Sequence, residues 1–202
     1  MISDCTAIIM AGGDSRRMGR DKAGLQLGDK TLIEHVASAL KPVFRNVRVS
    51  VRRHRQEIEL PQICDLVPDA GPLAGLCATL AHVASAETDS ASWVFVVATD
   101  MPFVQSGLIE RLAQARTGFE AVVPVVGKHP QPLAAFYSIS ALKTLQDVLA
   151  GAGKHSLRAA LERLNVCYVD QSRLQESDPE LRSFVDLDTP QELDRARREL
   201  FG

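Results

Sequence analysis

The sequence predicts a single three-layer α/β domain, a doubly wound and mostly parallel sheet with helices on both faces. Strand-like and helix-like hydrophobic patterns alternate along the whole chain. Trp93–Ala98 reads W-V-F-V-V-A, a continuous apolar run expected of a central parallel strand covered on both faces. Cys5–Met10, the first strand-like run, leads straight into Gly12-Gly13 and a cluster of cations. In doubly wound sheets that place, just past a strand's carboxyl end, is where ligands sit.

The elements follow in order. After the first strand, Thr31–Leu40 carries apolar residues at Leu32, Ile33, Val36, Ala37 and Leu40, one face of a helix, with Pro42 just past its end. Asn46–Val51 alternates as a strand. Gly71-Pro72 opens a helix through Val83, with proline in its first turn. Residues 87–92 are a polar loop before Trp93–Ala98. Ser106 is a candidate cap for a helix over Gly107–Ala115. Ala121–Val126 and Leu133–Tyr137 read as strands, Leu142–Leu149 and Leu157–Leu164 as amphipathic helices, and Val166–Val169 as a strand. Asp188-Thr189-Pro190 caps a last helix through Leu200. The residues to inspect for a site are those after Met10, Val51, Ala98 and Val126.

Composition narrows the function classes. The 202 residues suit one domain, with 46% apolar and 24% charged residues. The formal net charge of −2 gives no global basic field for nucleic acid or an anionic membrane. Positive charge is local instead: Arg16, Arg17, Arg20 and Lys22, then Arg45, Arg48, Arg52, Arg53 and Arg55. Such clusters suit a small polyanion. Cys5, Cys64, Cys77 and Cys167 form no metal-binding spacing and read as small reduced core residues. With no apolar run near the roughly 20 residues of a membrane span and no secretory signal, the expectation is a soluble, cytoplasmic monomer.

Two segments carry chemistry of their own. Met10-Ala11-Gly12-Gly13-Asp14-Ser15-Arg16-Arg17-Met18-Gly19-Arg20-Asp21-Lys22 follows the first strand. The glycines let backbone N–H groups approach phosphate oxygens, and Arg17 and Lys22 add the positive charge a triphosphate cradle needs. Neither the Walker phosphate loop nor the dinucleotide fingerprint occurs here. Thr99-Asp100-Met101-Pro102 places a carboxylate at the end of the central strand, suited to a hard cation such as Mg²⁺ or to capping the next turn.

The first segment resembles the L-A-G-G-x-S-x-R-M-G-x-D-K motif of the molybdenum cofactor guanylyltransferase family, with Met10 in place of leucine. The resemblance covers nearly the whole chain and implies the Rossmann-like nucleotide-diphospho-sugar transferase fold. It implies that Met10, Ala11, Gly12 and Gly13 touch the nucleotide, that Lys22 meets its phosphates, and that Asp100 binds Mg²⁺. Asp65 with Gly71-Pro72-Leu73-Ala74-Gly75 resembles the family's D-x5-G-P-L-A-G. The resemblance implies that Asp65 contacts guanine, whose N1–H and N2–H₂ a carboxylate can accept, with Gly75 close by; Asp69 is a competing alignment. Ser50 stands where family members carry an asparagine.

On the acceptor side, Gln131 in Gln131-Pro132-Leu133 and Lys154 before Ser156-Leu157 resemble family segments near the pterin. Phe184-Val185-Asp186-Leu187-Asp188-Thr189-Pro190 resembles F-x-N-x-N-T-P with both asparagines replaced by aspartate. Asp186 is therefore a candidate second metal carboxylate or acceptor contact, and Asp188 a helix cap. The halves divide as about 1–105 for the nucleotide and about 106–202 for the acceptor.

The resemblance implies transfer of GMP from GTP to the terminal phosphate of molybdopterin, with release of pyrophosphate. It implies transient contact with molybdoenzyme maturation proteins and none with nucleic acid or membrane. A CTP-dependent cytidylyltransferase on the same pterin, a sugar-1-phosphate nucleotidylyltransferase and a non-catalytic nucleotide or cofactor carrier stay open as alternatives.

Overall fold

In the computed structural model, residues 1–12, 24–65, 71–86, 91–151 and 155–201 are described. A twisted sheet runs in the order β5(Gln62–Cys64), β4(Phe44–Val51), β1(Ile2–Met10), β6(Trp93–Ala98), β9(Ala134–Ser138), β7(Ala121–Val126), β10(Val166–Val169), with β8(His129–Pro130) hanging from β7. The pairs β1–β4, β1–β6, β4–β5 and β7–β10 are parallel; β9 runs antiparallel to both β6 and β7. The mostly parallel expectation therefore holds: β9 and the short β8 are inverted, so β6 has a parallel neighbour on one side only.

Alternation within β1 feeds two cores. Ala7 and Ile9 face one layer, with Ile33, Val36, Ala37 and Leu40 of α1(Leu32–Leu40) and Leu108, Ile109 and Leu112 of α3(Ser106–Gln114). Ile8 and Met10 face the other, with Leu73, Leu76 and Leu80 of α2(Gly71–Ser85), Leu145 and Val148 of α4(Leu142–Ala150), and Leu157 and Leu161 of α5(Leu157–Leu161). Phe44, Phe95 and Phe136 stack across the sheet, with ring centroids 5.6 Å and 4.8 Å apart along the row. A third, small core joins Leu27, Leu32, Leu187, Leu193 and Ala196. It seats α7(Pro190–Phe201) on the hairpin β2(Gln26–Leu27)–β3(Lys30–Thr31).

Several local expectations need correction. Ser106 is the first residue of α3; Gln105 is the cap position, without a side-chain cap bond. Its N–H is taken instead by the Ser183 hydroxyl, 3.0 Å away. The last helix is capped by Thr189 rather than Asp188. Thr189 Oγ1 accepts from Glu192 N, while the Glu192 carboxylate accepts from the N–H groups of Asp188 and Thr189. Helix α5 ends at Leu161 rather than Leu164. Cys64 is exposed and Cys167 half-buried, so only Cys5 and Cys77 are core residues. The β2–β3 hairpin, β5 and α6(Gln171–Gln175) add elements that the hydrophobic pattern did not suggest. No helix among the described residues is long and apolar enough to cross a membrane.

Candidate active site

The sheet order reverses direction at β1, whose two parallel neighbours β4 and β6 come from opposite crossovers. Their carboxyl ends lie level: Met10 is in register with Ser50 of β4 and with Ala98 of β6. Hydrogen bonds lace the three ends together. Ala11 N–H donates to Ser50 O at 2.9 Å, and Thr99 donates to Met10 O through its N–H (3.2 Å) and its hydroxyl (3.0 Å). This is the topological switch point, where the strands part and leave a crevice.

Asp65 closes one side of the crevice. It follows β5, and its N–H donates to Val51 O at 2.9 Å, continuing the β4–β5 ladder past its last pair. Ser50 Oγ donates to its Oδ1 at 3.3 Å. Around this carboxylate the backbone comes close. A methyl group on Gly12 would stand 3.4 Å from Asp65 Oδ2 and 3.6 Å from Arg52 Cγ. One on Gly75 would stand 3.2 Å from Asp65 Oδ1, 3.2 Å from Ser50 Oγ and 2.8 Å from Met10 Cε. Burial pushes the Asp65 carboxyl up from the usual carboxylate range, while the Ser50 hydrogen bond and the Arg52 charge pull it back. Met10, Ala11, Gly12, Ser50, Asp65 and Gly75, named from the sequence, thus converge on one spot. Arg52 belongs with them. The sequence marks it as part of the basic cluster directly after β4 that suits a small polyanion.

Asp100 closes the other side. It is half-buried after β6, and its carbonyl accepts the Leu187 N–H at 2.9 Å. That bond brings the C-terminal segment Val185-Asp186-Leu187-Asp188 alongside, with the Asp186 side chain exposed and Leu187 buried in the small third core. Leu133 O accepts from Ala98 N at 2.9 Å, which draws the Gln131-Pro132-Leu133 segment to the same end of β6. The Gln131 backbone N–H is itself held by Pro124 O at 2.8 Å. The β7–β8 turn supporting it depends on Gly127, whose φ of +61° is a conformation that L side chains rarely adopt.

Asp100 and Asp186 are hard oxygen donors carried by hydrogen-bonded neighbouring segments. Among the described residues no group of three or more His, Cys, Asp and Glu stands together as a protein-only cage. A pair of carboxylates that leaves positions for water and phosphate oxygens is the donor set Mg²⁺ uses, so the residues present fit that ion. Gly13, Arg17, Lys22, Asp69 and Lys154 lie outside the described residues. Of the histidines, His35 has a structural partner: its Nε2 meets Leu27 O at 2.7 Å and ties α1 to the hairpin.

This geometry has company among known proteins. The model of the MobA-like NTP transferase domain family matches residues 7–167. A protein of Pelotomaculum thermopropionicum named "Probable molybdenum cofactor guanylyltransferase" is 35% identical over 195 residues, covering 95% of this chain and 91% of its own. The molybdenum cofactor guanylyltransferase of Vibrio cholerae is 33% identical over 196 residues, covering 95% and 90%. The crystal structure of molybdopterin-guanine dinucleotide biosynthesis protein A from Archaeoglobus fulgidus superposes with a TM-score of 0.82 at 32% identity, over 96% of this chain and 97% of that one. With a family match over most of its length and relatives at this identity, the chain belongs to the MobA-like NTP transferase family.

Proposed function

We propose that this chain is a molybdenum cofactor guanylyltransferase: it transfers GMP from GTP to the terminal phosphate of molybdopterin and releases pyrophosphate. The names of its relatives support the reaction class and the guanine nucleotide. The observation that carries the reading is the half-buried Asp65 carboxylate, held by Ser50 and flanked by Gly12 and Gly75 at the sheet's switch point. A carboxylate there accepts from guanine N1–H and N2–H₂, a donor pair that cytosine and adenine lack.

The nucleotide lies with its base at Asp65, Ser50 and Gly75 and its phosphates over Met10, Ala11, Gly12 and Gly13. Arg17 and Lys22 supply positive charge for the nucleotide's phosphates. The acceptor enters from the side of residues 106–202, where Gln131 reads the pterin and Lys154 its phosphate. An acceptor phosphate oxygen attacks the α-phosphorus of GTP in line; the new O–P bond forms as the bond to the bridging oxygen of pyrophosphate breaks. The attacking phosphate is already ionised, so no strong general base is required. The protein's contribution is positioning and charge complementarity. Arg17 and Lys22 offset the negative charge growing on the leaving pyrophosphate. Asp100 and Asp186 would hold Mg²⁺, which when bound neutralises phosphate charge. Residues about 1–105 hold the nucleotide and about 106–202 the acceptor. The enzyme works as a cytoplasmic monomer and meets molybdoenzyme maturation proteins transiently.

The test is pyrophosphate release from GTP and from CTP with molybdopterin and Mg²⁺, in wild type and Asp65→Ala. Release from GTP in preference to CTP, lost in the variant, supports the reading. Preference for CTP overturns the substrate, and nucleotide binding without turnover overturns the enzyme in favour of a carrier.

A further inference from the structure

A buried carboxylate outside this site holds part of it in place. Asp178 is fully buried. Its Oδ1 accepts from Gln105 Nε2 (2.9 Å) and from the Arg182 backbone N–H (3.0 Å), and its Oδ2 from the Ser183 N–H (2.8 Å). Ser183 returns a bond, its hydroxyl accepting from Gln105 N at 3.0 Å. A carboxyl group this deep is tolerated because both oxygens are satisfied. Leu181, between the two ends of this loop, has φ +53°, the one non-glycine positive φ among the described residues. A left-handed leucine is strained and persists only where its surroundings over-determine it. Arg182 adds a further hold, its guanidinium 5.4 Å from the Phe103 ring centroid.

The Gln105–Asp178, Gln105–Ser183 and Arg182–Phe103 contacts join the C-terminal segment to the stretch that leaves β6. Gln105 and Phe103 lie just beyond Asp100. Ser183 is tied to Gln105, and Leu187 is tied to Asp100 itself. Asp186 therefore rides on the short span between two anchors, both fastened to the loop that begins with Asp100. We propose that Asp178 is a positioning residue that, through Gln105, Arg182 and Ser183, sets the spacing of Asp186 from Asp100 and so completes the divalent-cation site. The inference rests on the functional reading above for its metal and deepens it. An asparagine at position 178 has one oxygen where the two backbone N–H groups need two, so Asp178→Asn releases one of the anchors.

The test is a double-mutant cycle of Asp178→Asn and Asp186→Asn, read by Mn²⁺ titration in the presence of GTP and by hydrogen exchange at the Val185, Asp186 and Leu187 amides. Exchange at these amides should quicken at least 10-fold in Asp178→Asn. Mn²⁺ affinity should fall about 5–10-fold, and the double variant should bind Mn²⁺ no more weakly than Asp186→Asn alone, because both changes act on one ligand. Gln105→Ala should shift Mn²⁺ affinity in the same direction, which keeps the test decisive where Asp178→Asn folds poorly. Glu176→Ala removes the nearby Arg111–Glu176 ion pair, 2.6 Å long, and should leave Mn²⁺ affinity unchanged. Additive losses in the cycle, or unchanged Mn²⁺ affinity in Asp178→Asn and Gln105→Ala, overturn the proposal. Failure of the functional reading shows elsewhere, as a wild type that prefers CTP or releases no pyrophosphate.

Discussion

The Leu187 N–H donates to the Asp100 carbonyl at 2.9 Å, joining the loop after the central strand to the segment that enters the last helix. One residue on either side of Leu187 is an aspartate, while Leu187 itself is buried against Leu27, Leu32, Leu193 and Ala196. A single residue thus couples a small core to the acidic edge of the crevice. The same core contains the hairpin that follows the glycine motif, so the two ends of the site share one support.

Leu187→Ala tests that coupling. Truncating a buried leucine costs about 2–5 kcal/mol, and a peripheral cluster that can partly collapse belongs near the lower end. The expected outcome is a lower Tm together with a several-fold higher Mg²⁺ requirement and little change in KM for GTP. A drop in Tm with an unaltered Mg²⁺ requirement would separate the core from the site.

Asp65 should act against stability. Burial raises its pKa in the folded protein above that of the unfolded chain, so folding takes up a proton across that window. The contribution favours the folded state below the unfolded pKa and is lost as pH rises through the raised value. Asp65→Asn should therefore be more stable than wild type at neutral pH. The gain should grow as pH climbs through the acid range and level off above the folded pKa. The same variant should lose preference for GTP. Thermal unfolding of both proteins between pH 4 and pH 8 reads the first effect (a window of roughly this width brackets a raised carboxylate), and competition between nucleotides reads the second.

Much of this was legible in the sequence, for reasons particular residues make plain. Trp93–Ala98 is so uniformly apolar that only a doubly covered strand fits it, and Ala121–Val126 and Val166–Val169 emerge with the bounds read from the sequence. The capping box of α1 is also readable, since Thr31 and Glu34 stand at the right spacing and do bond to each other's backbone. The inversion of β9 was not readable, because an apolar strand of five residues looks alike in either direction and only pairing decides. The choice of Thr189 over Asp188 as cap turned on which side chain Glu192 could reciprocate. Met10, Gly12, Asp65 and Gly75 were found because the segment after the first strand and the stretch from Asp65 to Gly75 resemble two motifs of one family, and the fold brings the two stretches together. Asp178 carried no pattern, since its partners Gln105 and Ser183 meet it only through the fold.

The cationic half of the glycine motif is open to direct test. If Arg17 and Lys22 offset charge on the leaving pyrophosphate, each acts most in the transition state. Lys22→Ala should then lower kcat by about 10²–10³-fold, the usual loss for removing one preorganised charge-stabilising group. KM for GTP should move far less. Equal losses in affinity and none in kcat would mark Lys22 as a ground-state anchor. Steady-state kinetics on Arg17→Ala and Lys22→Ala distinguish the two.

Gly75 offers the sharpest separation of stability from binding. It lies in the first half of α2 and is buried. Replacing glycine by alanine inside a helix gains about 1 kcal/mol from reduced backbone entropy in the unfolded chain. Against that stands crowding: the new methyl would meet Met10 Cε at 2.8 Å, and Asp65 Oδ1 and Ser50 Oγ at 3.2 Å each. Met10 Cε is the free end of a flexible side chain and can move aside cheaply. The two oxygens must give by a few tenths of an ångström, and they are the pair that would read the base. Gly75→Ala should consequently hold its Tm within a few degrees of wild type while KM for GTP rises 10-fold or more and discrimination against CTP weakens. A variant that melts much earlier would mean that the crowding falls on the core, and one that keeps full GTP preference would remove Asp65 and Ser50 from the base.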